Sequence, residues 1–184
     1  MANVPPVHFS HFGIFVFDLA KMEEFYTSVL GFIPTDRGII REVQDLVFLS
    51  RDPNEHHQIV LCSGRTVPIG EKLINQISLR VDSIDDLRTM NASIAKHPEV
   101  SEINPINHVV AFSVYFADPE GNRVEIFCDT PWYTDQPHVE PLELEKSNED
   151  LLAATELKYK DDPSFQPLAQ WRANFKERLA HAQK

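Results

Sequence analysis

The chain repeats itself, and that constrains its fold more than any other feature. Displaced by 65 or 66 residues, the first half lands on the second. His11 falls on Gln76, Val16 on Val81, Leu19 on Ile84, Asp52-Pro53 on Asp118-Pro119 and Cys62 on Cys128. One coincidence of this kind carries little, but five in the same order point to a duplicated supersecondary unit. The unit reads as β-α-β-β-β. His11–Phe17 is dense in aromatic and β-branched residues, as strands are. Asp18 can accept from the free amides of a helix start. Met22, Phe25, Tyr26, Val29 and Leu30 then fall at helical spacing, and Gly31 stops the helix. Strands are predicted around Gly38–Glu42, Asp45–Ser50 and Gln58–Cys62, the last after the turn Arg51–Glu55. The second copy predicts a strand over Asn75–Val81 and a helix over Asp86–Lys96 capped by Ser83 or Asp85. Further strands follow around Glu99–Asn104, Val109–Phe116 and Arg123–Cys128, with the turn Asp118–Gly121 before the last.

Neither unit can close its own sheet, so the two are expected to form an incomplete barrel around a shared cavity. The predicted fold is therefore α+β: two βαβββ modules, about 7–64 and 72–128, in one domain over 7–128. The tail, 129–184, differs in kind. Asp129–Pro137 carries prolines that exclude a helix interior, so it reads as an extended connector. Ser147-Asn-Glu-Asp150 opens a short helix with a capping pattern. Beyond Ser164, Leu168, Trp171, Phe175 and Leu179 form one apolar stripe at helical spacing, expected to pack on the barrel's outside or on a partner chain.

Charge removes whole classes of partner. Seventeen Lys and Arg against 28 Asp and Glu leave a net charge of −11, which argues against nucleic acid and anionic membrane surfaces. No apolar run approaches the roughly 20 residues needed to span a bilayer, and the first ten residues carry no signal-peptide pattern. Two cysteines make no disulfide framework. The expectation is a cytoplasmic protein that acts on a small molecule.

Glu125 is the residue most in need of an explanation. It sits between Val124 and Ile126 in a predicted strand, where an unpaired carboxylate is costly to bury, and its repeat partner is read as Ile59. An exposed edge or an Arg partner would account for it structurally, and a metal would account for it functionally. Fe(II) with open positions is commonly held by two imidazoles and one carboxylate. His11 and Gln76 occupy equivalent places in the two modules and are expected to converge with Glu125, with His8 the competitor for the first ligand. His56-His57 precede a strand, where alternation lets only one of them face the cavity. His108 and Tyr115 are seven residues apart, which opposes their faces unless a bulge or a late strand start intervenes. His97, His138 and His181 read as solvated surface residues.

The run from Ile106 to Glu125 contains His108, Tyr115, the Asp118-Pro-Glu-Gly121 turn and Glu125. It resembles the signature of type I extradiol ring-cleaving dioxygenases of the vicinal oxygen chelate superfamily. His11–Leu19, Phe25-Tyr26 and Leu30-Gly31-Phe32 are similar to that superfamily's opening, and His56–Leu61 resembles the His-His strand of the extradiol branch. The resemblance covers roughly residues 7–128. It implies that His11, Gln76 and Glu125 hold a divalent metal, Fe(II) first and Mn(II) or another as alternatives. It implies that His57 is the acid–base catalyst and that His108 and Tyr115 contact a catechol-type substrate. The implied reaction opens an aromatic diol with O2, in a protein that is a dimer. Gln76 stands where the second histidine ligand is expected. Glyoxalase I enzymes use glutamine at some such positions, so isomerase or lyase chemistry is the alternative, with a non-catalytic aromatic-binding protein as a third reading.

Overall fold

In a computed structural model, residues 8–71 and 74–182 are described. The first module runs β1 (Phe12–Val16), α1 (Leu19–Ser28), β2 (Ile33–Ile40), β3 (Gln44–Ser50) and β4 (Ile59–Ser63). The second runs β5 (Ile77–Arg80), α2 (Ile84–Ile94), β6 (Ser101–Asn107), β7 (Ala111–Ala117) and β8 (Arg123–Asp129). Each makes its own sheet, in the orders β1-β4-β3-β2 and β6-β7-β8-β5, with the first and last strands of each module parallel. Both helices are capped as their sequences dictate. Asp18 accepts from the Lys21 amide at 3.0 Å and Ser83 from the Asp86 amide at 3.1 Å.

The duplication holds at the level of register. Phe12 pairs with Ile59 and Ile77 with Val124, two pairs related by the same shift of 65. That register corrects two correspondences. Glu125 pairs with Ser78 as Val60 pairs with Gly13, so its counterpart is Val60 and not Ile59. Cys62 likewise corresponds to Phe127 and not to Cys128. In an alternating strand a one-residue slip reverses the face. The predicted strand at 38–42 is also displaced, because β2 starts at Ile33 immediately after the helix stop.

No closed barrel forms among the described residues, since the two sheets remain separate. One apolar core joins them on their helix sides. Ile14, Val16, Phe25 and Leu61 of the first module pack in the same cluster as Leu87, Phe112, Phe116 and Ile126 of the second. A polar staple crosses the seam. The buried Glu120 carboxylate accepts from the Phe17 and Asp18 amides, each at 2.8 Å, and pairs with Arg65 at 3.4 Å. Tyr26 donates to Asp118 across the same seam, at 3.4 Å.

The tail contributes β9 (Trp132–Tyr133), β10 (Glu140–Pro141), α3 (Asn148–Tyr159), β11 (Gln166–Pro167) and α4 (Leu168–Ala182). β10 extends the second sheet by pairing with β6. Ser147 caps α3 through the Asp150 amide, and Leu142, Leu144 and Leu151 enter the common core. The apolar stripe of α4 is covered only at its start. Leu168 is buried and Trp171 stacks on Tyr133 at 4.8 Å, while Phe175 and Leu179 remain 38% and 46% exposed. Two histidines expected at the surface are partly enclosed: His97 packs edge-on against Phe25, and His138 against Tyr159. His181 is exposed.

Candidate functional site

Strand alternation gathers Gln76, Ser78, Ser113, Tyr115, Arg123 and Glu125 on the face of the second sheet that points away from the helix. Glu125 is 6% exposed, and neutral donors hold both of its oxygens. Ser113 Oγ donates to Oε1 at 2.7 Å. Ser78 Oγ at 2.5 Å and Gln76 Nε2 at 2.9 Å donate to Oε2. These bonds offset the desolvation of a buried carboxylate without neutralising it. The nearest group able to carry positive charge is His108, whose Nε2 lies 3.9 Å from Oε1.

His108 and Tyr115 share this face because β7 starts late. His108 stands in the turn before Ala111, so strand alternation does not govern it. The turn is tight: Val109 has φ +68, a region costly for a β-branched residue, and the Asn107 side chain holds its amide at 2.7 Å. His108 Nδ1 donates to the His138 carbonyl at 2.6 Å, which leaves Nε2 to accept from the Tyr115 hydroxyl at 3.1 Å. Burial, reinforced by Glu125, pushes the Tyr115 phenol well above its usual range, so it is a neutral donor at working pH. Arg123 lies over the Tyr115 ring at 4.2 Å and lines a neighbouring cavity of about 480 Å³ with Phe15, Ile74 and Ile77.

A second constellation belongs to the first module. His11 is exposed just before β1 and packs against His57, with ring centroids 4.1 Å apart. His56 and His57 lie in the loop before β4, so strand alternation does not separate them, and both rings touch Phe48. His56 Nε2 donates to Asp36 at 2.7 Å and the two Nδ1 atoms are 2.8 Å apart. With one proton per ring, His57 Nδ1 donates to His56 Nδ1 and His57 Nε2 is left as a free base. Burial, helped by the adjacent His11 and His56, lowers the His57 pKa below the usual imidazole value.

The six residues expected to form one site thus occupy two places. Gln76, His108, Tyr115 and Glu125 are together, and His11 and His57 are together. Among the described residues no hydrogen bond or ion pair joins the two sets, and no three His, Cys, Asp or Glu side chains are gathered as a metal site. His8 is exposed. Ser78, Ser113 and Arg123 were missed in the sequence reading. Their positions two residues from Gln76, Tyr115 and Glu125 placed them on the same face, and that phase was the available signal.

The Glyoxalase/Bleomycin resistance protein/Dioxygenase superfamily model matches residues 8–126, and the chain belongs to that family. It is 28% identical over 125 residues to biphenyl-2,3-diol 1,2-dioxygenase 2 of Rhodococcus globerulus, covering 66% of this chain and 62% of that protein. It is 26% identical over 165 residues to biphenyl-2,3-diol 1,2-dioxygenase 3 of the same organism, covering 87% and 78%. The fold resembles a fosfomycin resistance protein, FosX, of Listeria monocytogenes, crystallised with Mn(II) and sulfate (TM-score 0.55, 18% identity, 68% of this chain and 95% of that one). It also resembles a glyoxylase/bleomycin resistance protein/dioxygenase domain from Frankia sp. EAN1pec (TM-score 0.58, 19% identity, 68% and 100%). Members of the family bind divalent metals. No helix among the described residues is long and apolar enough to cross a membrane.

Proposed function

We propose that this chain is an extradiol dioxygenase-like enzyme that opens a catechol-type aromatic ring with O2 and a divalent metal, Fe(II) in preference to Mn(II). One observation carries the reading: Gln76, His108, Tyr115 and Glu125 meet on one sheet face, in the arrangement of an anionic donor beside a histidine–tyrosine pair. The names of the two curated relatives support an aromatic diol as substrate. Gln76 and Glu125 fit two positions of a cation site, because the carboxylate is buried among neutral donors and Gln76 Oε1 makes no hydrogen bond among the described residues. The third donor, His11, is not brought to them within one chain. A bound metal would supply Lewis acidity and a template for two adjacent oxygens.

The missing imidazole is assigned to a second copy of the chain. Along β1 and the residues that flank it, His11, Gly13, Phe15 and Phe17 share the face turned away from the core, and Phe15 and Phe17 are 55% and 49% exposed. A two-fold pair that covers this face uses each half-site twice. It sets His11 and His57 of one protomer beside Gln76, His108, Tyr115 and Glu125 of the other. In that site His57 Nε2 takes a proton from the diol, while His108 and Tyr115 orient the remaining substrate oxygen. Gln76 also favours isomerase or lyase chemistry as the second reading, since an amide oxygen is a harder and weaker donor than the imidazole it replaces.

The test is anaerobic loading with Fe(II), followed by oxygen uptake on 2,3-dihydroxybiphenyl and simpler catechols. Stoichiometric oxygen consumption with a ring-opened product is expected. Tight diol binding with no oxygen uptake, whatever the metal, would remove the dioxygenase reading.

A further inference from the structure

His108 is held from outside the stretch that matches the family. The match ends at residue 126, yet the groups that fix the imidazole lie at 136–138. The His138 carbonyl accepts from His108 Nδ1 at 2.6 Å, and the Gln136 side-chain amide donates to the His108 carbonyl at 2.9 Å. Two contacts from one short segment thus grip both the ring and the backbone of a single residue. The segment is itself anchored on two sides, and its two anchors are tied to each other. Pairing of Glu140 with Asn107 ties it to the strand before His108. The His138 ring packs on Tyr159 of α3, with centroids 4.9 Å apart, and Asn107 Nδ2 donates to Thr155 of the same helix at 2.8 Å.

A neutral imidazole carries one proton, and a carbonyl can only accept. The partner on Nδ1 therefore decides the state of Nε2, the nitrogen 3.1 Å from the Tyr115 hydroxyl. We infer that Gln136–His138 positions His108, holding its proton on Nδ1 and keeping Nε2 as an acceptor for Tyr115. This rests on the proposed role of His108 in handling substrate, but the tautomer can be read without any turnover. The tail then completes the site, and a chain cut at the end of the second module would retain its donor residues while losing control of one of them.

The experiment uses the full chain with ¹⁵N-labelled histidine and measures the ring-nitrogen shifts of His108, assigned by its loss in His108→Gln. Wild-type protein should show the Nδ1–H tautomer. Gln136→Glu keeps the side-chain length but removes the N–H donor. It should shift His108 toward a mixture of tautomers and lower kcat by about tenfold or more, within the ~10²-fold that ångström-scale misplacement can cost, with KM little changed. His138→Ala keeps the main-chain carbonyl and should retain the wild-type tautomer. A wild-type His108 protonated on Nε2 overturns the inference, and so does a Gln136→Glu protein with an unchanged tautomer. If the shifts behave as expected but no variant, wild type included, opens a diol, the positioning stands and the proposed reaction falls.

Discussion

At the scale of single residues, the informative contrast lies between two groups of opposite habit. Glu125 is an acid enclosed by three neutral donors, and His57 is a base whose pKa is lowered by burial, with help from its two histidine neighbours. Glu125→Gln preserves shape and removes the charge, so metal retention after gel filtration should be lost, whereas His8→Ala should retain the metal. Gln76→His should tighten Fe(II) binding, since imidazole is the better donor for that ion. Equal metal content in Glu125→Gln and wild type would place the ion elsewhere. For His57 the sign follows from the lowered pKa. The folded state prefers neutral imidazole, so stability is unaffected above the unfolded value near 6.5 and declines as pH drops through the lower folded value. The base form persists below pH 6.5, and the acid limb of turnover should lie there. His57→Ala should reduce turnover by about 10²–10⁴-fold, the span of a general acid–base, and leave diol affinity intact. Because a hydrogen-bond chain runs from His57 through His56 to Asp36, His56→Ala should also slow turnover, although strand alternation alone would turn only one of the two imidazoles toward the cavity.

At the scale of elements, the seam and the tail explain why the modules and the 129–184 extension stay together. Glu120 receives two backbone amides and a guanidinium in a buried setting. Removing one partner of a buried ion pair leaves the other uncompensated, so Glu120→Ala should cost about 3–5 kcal/mol in urea denaturation. A loss below 1 kcal/mol would mean that water replaces the carboxylate at the seam. In the tail, Leu142, Leu144 and Leu151 are in the core, each worth roughly 1.5–3 kcal/mol of burial, while most of α4 is exposed. Truncation after Asp129 should therefore melt the protein at markedly lower temperature. Truncation after Pro167, which removes only α4, should have a much smaller effect.

At the scale of the whole molecule, the separation of the two half-sites makes a prediction that an intrachain site cannot share. His11→Ala and Glu125→Gln should each be inactive as pure proteins. Refolded together in equal amounts they form mixed pairs, and each mixed pair has one site with both residues intact. Random pairing should restore about a quarter of wild-type activity, as the statistics of a two-fold assembly require. No recovery, with mixed pairs demonstrated by mass, would confine the site to one chain.

Much of this was legible in the sequence because it depends on local chemistry. The duplication, the two capped helices and the capped start of α3 all follow from spacing, hydrophobic phase and cap residues, which act over a few positions. The clustering of Gln76 with Glu125 was also accessible, because strand phase sets the face. What the sequence did not determine was the placing of one module against the other. That depends on long-range contacts such as Phe17 and Asp18 with Glu120, Tyr26 with Asp118, and Phe25 with Phe116, 6.3 Å between ring centroids, which have no local signature. The repeat implied two equivalent sheets meeting at one centre, whereas the packed core joins their helix sides and leaves His11 and Glu125 in separate groups. The tail's hold on His108 has the same origin. A carbonyl has no side-chain identity, so nothing in the residue at 138 announces that its main chain will fix the proton of an imidazole thirty positions earlier.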